Sequence, residues 1–232
     1  ISILSGSGTS ESGIIALAAG TSNAHKGGAV SFVAGSSSIL TGGAVQVTTG
    51  RGTAKSSGSV VIKSVDAGTN GVSGQLTFIT GVTTSGSSGT IKLVAGNAVG
   101  GLSGGLVISG GSSANEGSVI NLNGGTTTGT TGGAISISSG TATTKSSGSV
   151  VVRSVSAGTN GVSGALSFTS GPATSGSSGS ISVATGQATT GRSGSITVSA
   201  GQGNTGSGGI MNLAGGSTSA SAAGGTVVLN SG

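Results

Sequence analysis

The chain of 232 residues has no cysteine, tryptophan or tyrosine, one histidine, His25, and three acidic residues, Glu11, Asp66 and Glu116. Without cysteine, disulfides, thiol catalysis and thiolate metal sites are excluded. The three acids lie far apart in the sequence, so they offer neither a carboxylate pair for acid–base catalysis nor a set of metal ligands. We therefore expect no enzymatic activity, no metal and no cofactor.

Charged and aromatic side chains are also scarce. Charged residues make up 5% of the chain, and its aromatic residues are three phenylalanines. The net charge of +5 comes from basic residues spread along the whole sequence, which do not form the basic stripe of a nucleic-acid-binding protein. No apolar run reaches the roughly 20 residues that a membrane span needs. We expect neither a nucleic-acid partner nor a membrane span.

Small residues are abundant instead. Glycine, with 52 copies, serine, with 47, and threonine, with 30, make up more than half of the chain. A disordered linker has such a composition, but disorder also requires low hydrophobicity. Here 33% of the residues are apolar and the mean hydropathy is +0.34. The composition therefore predicts a fold that buries its apolar residues.

A repeat of about 15 residues runs through the whole sequence. In every unit the second and fourth residues after the start are apolar, the sixth is Gly, Ala, Ser or Thr, and the seventh is Gly except at Val65 and Val155. A further unit is entered part-way at Ile1. The starts are Gly13, Gly28, Gly43, Gly58, Gly74, Gly89, Gly104, Ser118, Gly133, Gly148, Gly164, Gly179, Gly194, Gly209 and Gly225.

Apolar residues two apart between glycines are typical of a β-strand with one buried face. No unit can bury its apolar pair alone, so the units must stack. The sequence predicts an all-β fold, a parallel β-solenoid of sixteen strand–turn units that forms one continuous domain over residues 1–232. The remaining residues of each unit, such as 141–147, are turn formers whose hydroxyls can bond their own backbone.

The number of strands per coil is left open by the repeat. Residues 55–96 recur closely as 145–186, six units later, which fits three strands per coil of about 45 residues or two strands per coil of about 30. Three strands are favoured because they place the bulkiest fourth-position residues on one side. That predicted core ladder consists of Phe32, Phe78, Leu122, Phe168 and Leu213.

Neither end of the sequence carries a helix or a polar cap. It begins within a unit at Ile1 and ends at the seventh residue of a unit, Gly232. Uncapped strand edges template further pairing. We expect the chain to be a segment of a longer repetitive protein, or to stack head to tail with copies of itself.

Two short motifs suggest catalysis or cofactor binding, and neither has the required context. Residues 201–206 read GQGNTG, the dinucleotide fingerprint, but no helix is predicted to follow. Residues 101–105 read GLSGG, a nucleophile elbow around Ser103, but no histidine follows it in the sequence. Asp66 becomes Ser156 in the second copy of the long repeat, which does not fit a calcium-binding repeat.

Other polar residues have plainer roles. His25 is predicted to be a solvated loop residue, and Lys55, Lys63, Lys145 and Arg153 are predicted to keep the sheet soluble, with an anion-binding column as the alternative. Val65 and Val155 each begin an insertion of one residue, which predicts a protruding loop. Loop hydroxyls that are candidates for O-glycosylation belong to Thr126, Thr127, Thr128, Thr143, Thr144, Thr189 and Thr190.

The recurring unit Ser-Gly-x-[Ile/Val]-x-[Val/Ile/Leu]-x-x-Gly resembles that of repetitive secreted surface proteins of algae and bacteria, including β-solenoid adhesin stalks and extracellular fibres. The resemblance implies an extracellular or cell-surface structural role and assigns no functional residue. We expect a subunit of an extracellular filament that assembles by end-to-end strand stacking. The alternative is an adhesin module that binds ice, glycans or surfaces.

Overall fold

A computed structural model describes residues 1–8, 12–219 and 221–231. Within these ranges the chain forms no helix and no β-strand. The prediction of an all-β parallel β-solenoid is therefore wrong, in its three-strand form as in its two-strand form. The chain instead alternates loops that bend or turn with segments of no regular secondary structure, and its residues fall into two compact units, Ile1–Ser118 and Val119–Gly232.

The local repeat survives although the strands do not form. Most of the described loops bend at the same place, for example at 23–25, 38–40 and 53–55 in the compact unit Ile1–Ser118 and at 143–145 and 174–176 in Val119–Gly232. The residues between one bend and the next include the apolar pair and have no regular secondary structure. The prediction that each of these segments forms a strand is wrong, whereas the spacing of the loops follows the repeat.

The described residues bury no side chain. The predicted core ladder of Phe32, Phe78, Leu122, Phe168 and Leu213 is 61–69% exposed. The chain exposes 22763 Å², whereas two compact domains of half its mass would together expose about 11,000 Å². The apolar residues that the composition predicted to be buried are therefore on the surface of the single chain.

Conformational entropy explains why the segments remain unpaired. Pairing units that are distant in sequence requires the loops to be fixed, and glycine loses more backbone freedom on ordering than any other residue. In ordinary sheets this cost is offset by burying large side chains on both faces. Here many odd positions carry small polar residues such as Ser31, Ser136 and Ser182, so one chain gains little by stacking its own units.

A corner joins each unit to the next. The first residue of a unit lies against the sixth residue of the unit before it, and a Cβ atom added to Gly28 would be 3.1 Å from the Ala19 Cβ. The same addition at Gly43 would be 3.4 Å from the Ala34 Cβ, and at Gly209 it would be 3.2 Å from the Ala200 Cβ. This approach explains both the glycine at the start and the small residue at the sixth position.

Many of the loops are closed by a backbone hydrogen bond at the corner. The amide of a first residue donates to the carbonyl of the preceding seventh residue, as in Gly28 to Gly20 at 2.9 Å and Gly133 to Gly125 at 2.8 Å. The loop leaves the corner and returns to it, as an Ω-loop does. The same closure is made by Gly13, Gly43, Gly58, Ser118, Gly148 and Gly225.

Four other loops place a glycine at positive φ instead. Gly86 and Gly176, which are equivalent in the long repeat, have φ of 117° and 119°, and Gly191 and Gly206 have φ of 130° and 81°. Each is the fifth residue after the glycine that ends the segment. Residues with a Cβ rarely adopt this conformation. These four glycines therefore direct their loops along a second route, which Gly101, at the same place in its own loop, does not share.

The loops after Val65 and Val155 contain a tight turn. The Gly71 amide donates to the Gly68 carbonyl and the Gly161 amide to the Gly158 carbonyl, both at 3.1 Å. Asn70 is the third residue of its turn and glycine the fourth, the place that glycine favours in type I turns. Each predicted insertion loop therefore contains a tight turn, and its protrusion stays a prediction.

Hydroxyl side chains bond the backbone of several loops, as the sequence predicted. The His25 and Leu40 amides donate to the Oγ atoms of Ser22 and Ser37 at 3.0 and 2.9 Å. Ser113 and Thr127 accept in the same way from Asn115 and Gly129. In all four loops the hydroxyl belongs to the second residue after the segment, so its place in the repeat is fixed.

Candidate interaction surface

The largest chemical feature of the chain is its two rows of exposed apolar side chains, which we call the apolar rows. They consist of the second and fourth residues of each unit. From Ile15 to Val227 the second-position residues are 47–61% exposed, and from Leu17 to Leu229 the fourth-position residues are 57–87% exposed. The second position is the more sheltered in each unit, which shows that the rows have a regular local environment.

Most of the residues between the two rows are polar. The third residue of a unit is Gln46, Thr77, Lys92 or Asn121, for example. Valine takes this place at Val61, Val107, Val151 and Val228, all 69–86% exposed. In those four units three consecutive residues are apolar, so both faces of the segment are apolar.

One corner has its two side chains exchanged, a feature that the sequence interpretation missed. Ser118 is the one start that is not glycine, and the sixth residue of the unit before it is Gly110. The Ser118 Oγ donates to the Gly111 carbonyl at 3.1 Å, and a Cβ added to Gly110 would be 2.5 Å from that Oγ. The two positions compensate each other, and the signal visible in the sequence was the single start that is not glycine, which follows one of the three glycines at the sixth position.

This exchange yields a prediction for a double-mutant cycle. Gly110→Ala forces the Ser118 hydroxyl away from the Gly111 carbonyl, so we expect the residue 118 amide to exchange with solvent about fivefold faster. Adding Ser118→Gly should restore slow exchange, because it recreates the corner of Ala34 and Gly43. Hydrogen exchange followed by NMR measures both; equal effects of the single and double variants would contradict the compensation.

The motifs that suggested chemistry are not assembled into sites. Gly206 lies in a bend with no helix after it, and Ser103 and His25 are exposed loop residues. Among the described residues no three His, Cys, Asp or Glu side chains lie close enough to hold a metal ion, and Glu11 is outside these residues. An open depression is lined by four consecutive residues, 153–156, so it brings together nothing distant in sequence.

The remaining candidate residues lie on the surface. Lys55 and Lys63 lie in the compact unit Ile1–Ser118, and Lys145 and Arg153 lie in Val119–Gly232. All four side chains are exposed. Thr126, Thr127, Thr128, Thr143, Thr144, Thr189 and Thr190 are exposed as well, so their hydroxyls are accessible, and their O-glycosylation stays a prediction. In the ranges that the structure describes, no helix is long and apolar enough to cross a membrane.

Comparison with known proteins gives no family. No family model, curated protein or solved structure matches this chain. The resemblance to repetitive surface proteins therefore stays a prediction from the repeat unit alone. The functional argument depends on the exposed surface itself.

Proposed function

We propose that this chain is a structural protein that assembles with copies of itself into an extracellular filament. The observation that carries the proposal is the exposure of both apolar rows along all of the units. An isolated chain leaves these side chains in water at a cost of about 25 cal/mol for each Å² of apolar surface. Association that covers the rows removes this cost.

A second copy is the partner that fits the rows best. The apolar residues recur every 14 to 16 residues, and a chain with the same spacing is the surface that matches them over their whole length. Charge offers little alternative specificity, because charged residues make up 5% of the chain and the basic ones are scattered. A surface that repeats along the chain and has no unique pocket suits open-ended assembly rather than recognition of one small ligand.

Association would also satisfy the backbone. Apart from Thr218, the described residues form backbone–backbone hydrogen bonds at the corners and the two tight turns and not along the segments that carry the apolar rows. A folded chain forms roughly one internal hydrogen bond per residue. The backbone amides and carbonyls of these segments are available to a segment of a neighbouring copy.

The surroundings of the filament follow from its polar loops. The loops are rich in serine and threonine, which would face solvent beside the apolar contacts and accept glycans or hydrate the filament surface. We place the filament outside the cell or at its surface, on the basis of the repeat unit and its hydroxyl-rich loops.

The proposal predicts concentration-dependent assembly of the purified full chain. We expect electron microscopy to show filaments above a critical concentration and sedimentation to recover the chain in the pellet. A chain that stays monomeric at all concentrations and at moderate salt would refute the proposal. If that monomer bound ice or a glycan saturably, the adhesin alternative would replace it.

A further inference from the structure

Two segments of the chain differ from all other units in a way that bears on assembly. Residues 59–65 (SVVIKSV) and 149–155 (SVVVRSV), here called the valine segments, contain no glycine and no proline. In the other units a glycine ends the segment at the seventh position, and here Val65 and Val155 replace it. The valine segments therefore lie in the two longest glycine-free stretches of the sequence, 59–67 and 149–157.

Both faces of the valine segments are exposed and apolar. Val60, Val61 and Ile62 are 52–74% exposed, and Val150, Val151 and Val152 are 52–72% exposed, so residues pointing in opposite directions are all open to solvent. Val65 and Val155 add a further 75% and 73% exposed side chain to each segment. In most other units a polar third residue leaves one face apolar at most, as at Gln46, although Val107 and Val228 also give two apolar faces.

Short segments with high β-propensity, low charge and no proline pair most readily with identical segments. We propose that the valine segments are the sites at which two copies of this chain first pair when the filament forms. The partner is a second copy, because the same stretch occurs twice in each chain and in-register pairing sets valine against valine. This inference rests on the proposed function and adds where assembly begins.

The same segments carry a restraint on pairing. Lys63 and Arg153 follow the three apolar residues directly, and both are exposed. In-register pairing places each cation close to its counterpart in the other copy, and like charges opposite each other oppose pairing. A charge beside an aggregation-prone stretch is a common gatekeeper. Lys63 and Arg153 therefore set the rate at which the valine segments pair.

The half-time of filament formation by the full chain, followed by light scattering, tests the inference. We expect Val61→Ser with Val151→Ser to lengthen the half-time about tenfold. The matched control, Val72→Ser with Val162→Ser, removes two loop valines of the same long repeat that are 96% exposed, and should leave the half-time unchanged. Equal half-times for the two double variants would overturn the inference.

Charge variants test the gatekeeper in the same assay. Lys63→Ser with Arg153→Ser should shorten the half-time, and added salt should shorten it for the unmodified chain but not for this variant, because the repulsion is already gone. Lys92→Ser, which removes a cation from another unit, is the control. A half-time that does not depend on protein concentration would overturn pairing between copies. Failure of the unmodified chain to form filaments would instead refute the proposed function.

Discussion

Replacing Val30, Val45 and Val60 by serine should raise the critical concentration for filament formation about 100-fold. These second-position residues are 50–61% exposed in the single chain. Covering the exposed half of a valine contributes about 1 kcal/mol, so three replacements remove about 3 kcal/mol from each contact between copies. The critical concentration, measured by sedimentation of the full chain, reports this loss directly.

The chain offers a control with identical chemistry. Val72, Val82 and Val99 are loop residues of the same compact unit, Ile1–Ser118. They are 96–107% exposed and lie outside the apolar rows. Their replacement by serine removes the same number of methyl groups but no surface that the proposal assigns to the contact. A critical concentration that rises equally in both triple variants would show that hydrophobicity in general drives association, and not the rows.

Gly124→Ala should open the corner between Gly125 and Gly133. A Cβ at Gly124 would collide with the backbone carbonyl of Gly133, which no side-chain rotation relieves. We expect overpacking of about 1–3 kcal/mol, enough to break the 2.8 Å hydrogen bond from the Gly133 amide to the Gly125 carbonyl. Hydrogen exchange at residue 133, measured by NMR, should then reach the rate of an unprotected amide.

The adjacent residue provides the control for this variant. A Cβ added to Gly125 would meet no atom within 4 Å, so Gly125→Ala should leave exchange at residue 133 slow. Because both variants add one methyl group to neighbouring glycines, a difference between them isolates the steric contact. Slow exchange in both variants would show that this corner adopts the geometry of the Ala34 and Gly43 corner, which closes with alanine at the sixth position.

The sequence allowed the loops to be predicted better than the fold. The local features of the loops follow from residue types that act within four positions of each other. They include the bends, the hydrogen bonds to the Ser22 and Ser37 hydroxyls, and the turns around Asn70 and Asn160. Their energies depend on local backbone geometry, which the sequence repeats in every unit. The exchange of Gly110 and Ser118 is equally local, and could have been found from Ser118, the one start that is not glycine.

The sequence identified the residues of the candidate interaction surface but wrongly predicted that they are buried. The apolar rows were correctly identified by their spacing of two residues, but they were assigned to the interior of a solenoid. A spacing of two residues between apolar side chains predicts an extended segment with two different faces. It does not predict whether the apolar face contacts the same chain or another chain. Phe32 and Phe168 therefore appeared to be core residues although each is more than 60% exposed.

The amino-acid sequence by itself determined the repeat, the turn-forming loops with their hydroxyl hydrogen bonds and the two apolar rows. Only the tertiary structure decided that one chain does not stack its own repeats, because that outcome depends on a balance of two large free energies. One is the entropy lost when glycine-rich loops are fixed, and the other is the apolar area gained by pairing distant segments. The apolar rows remain exposed in the single chain, as expected where the entropy cost is the larger.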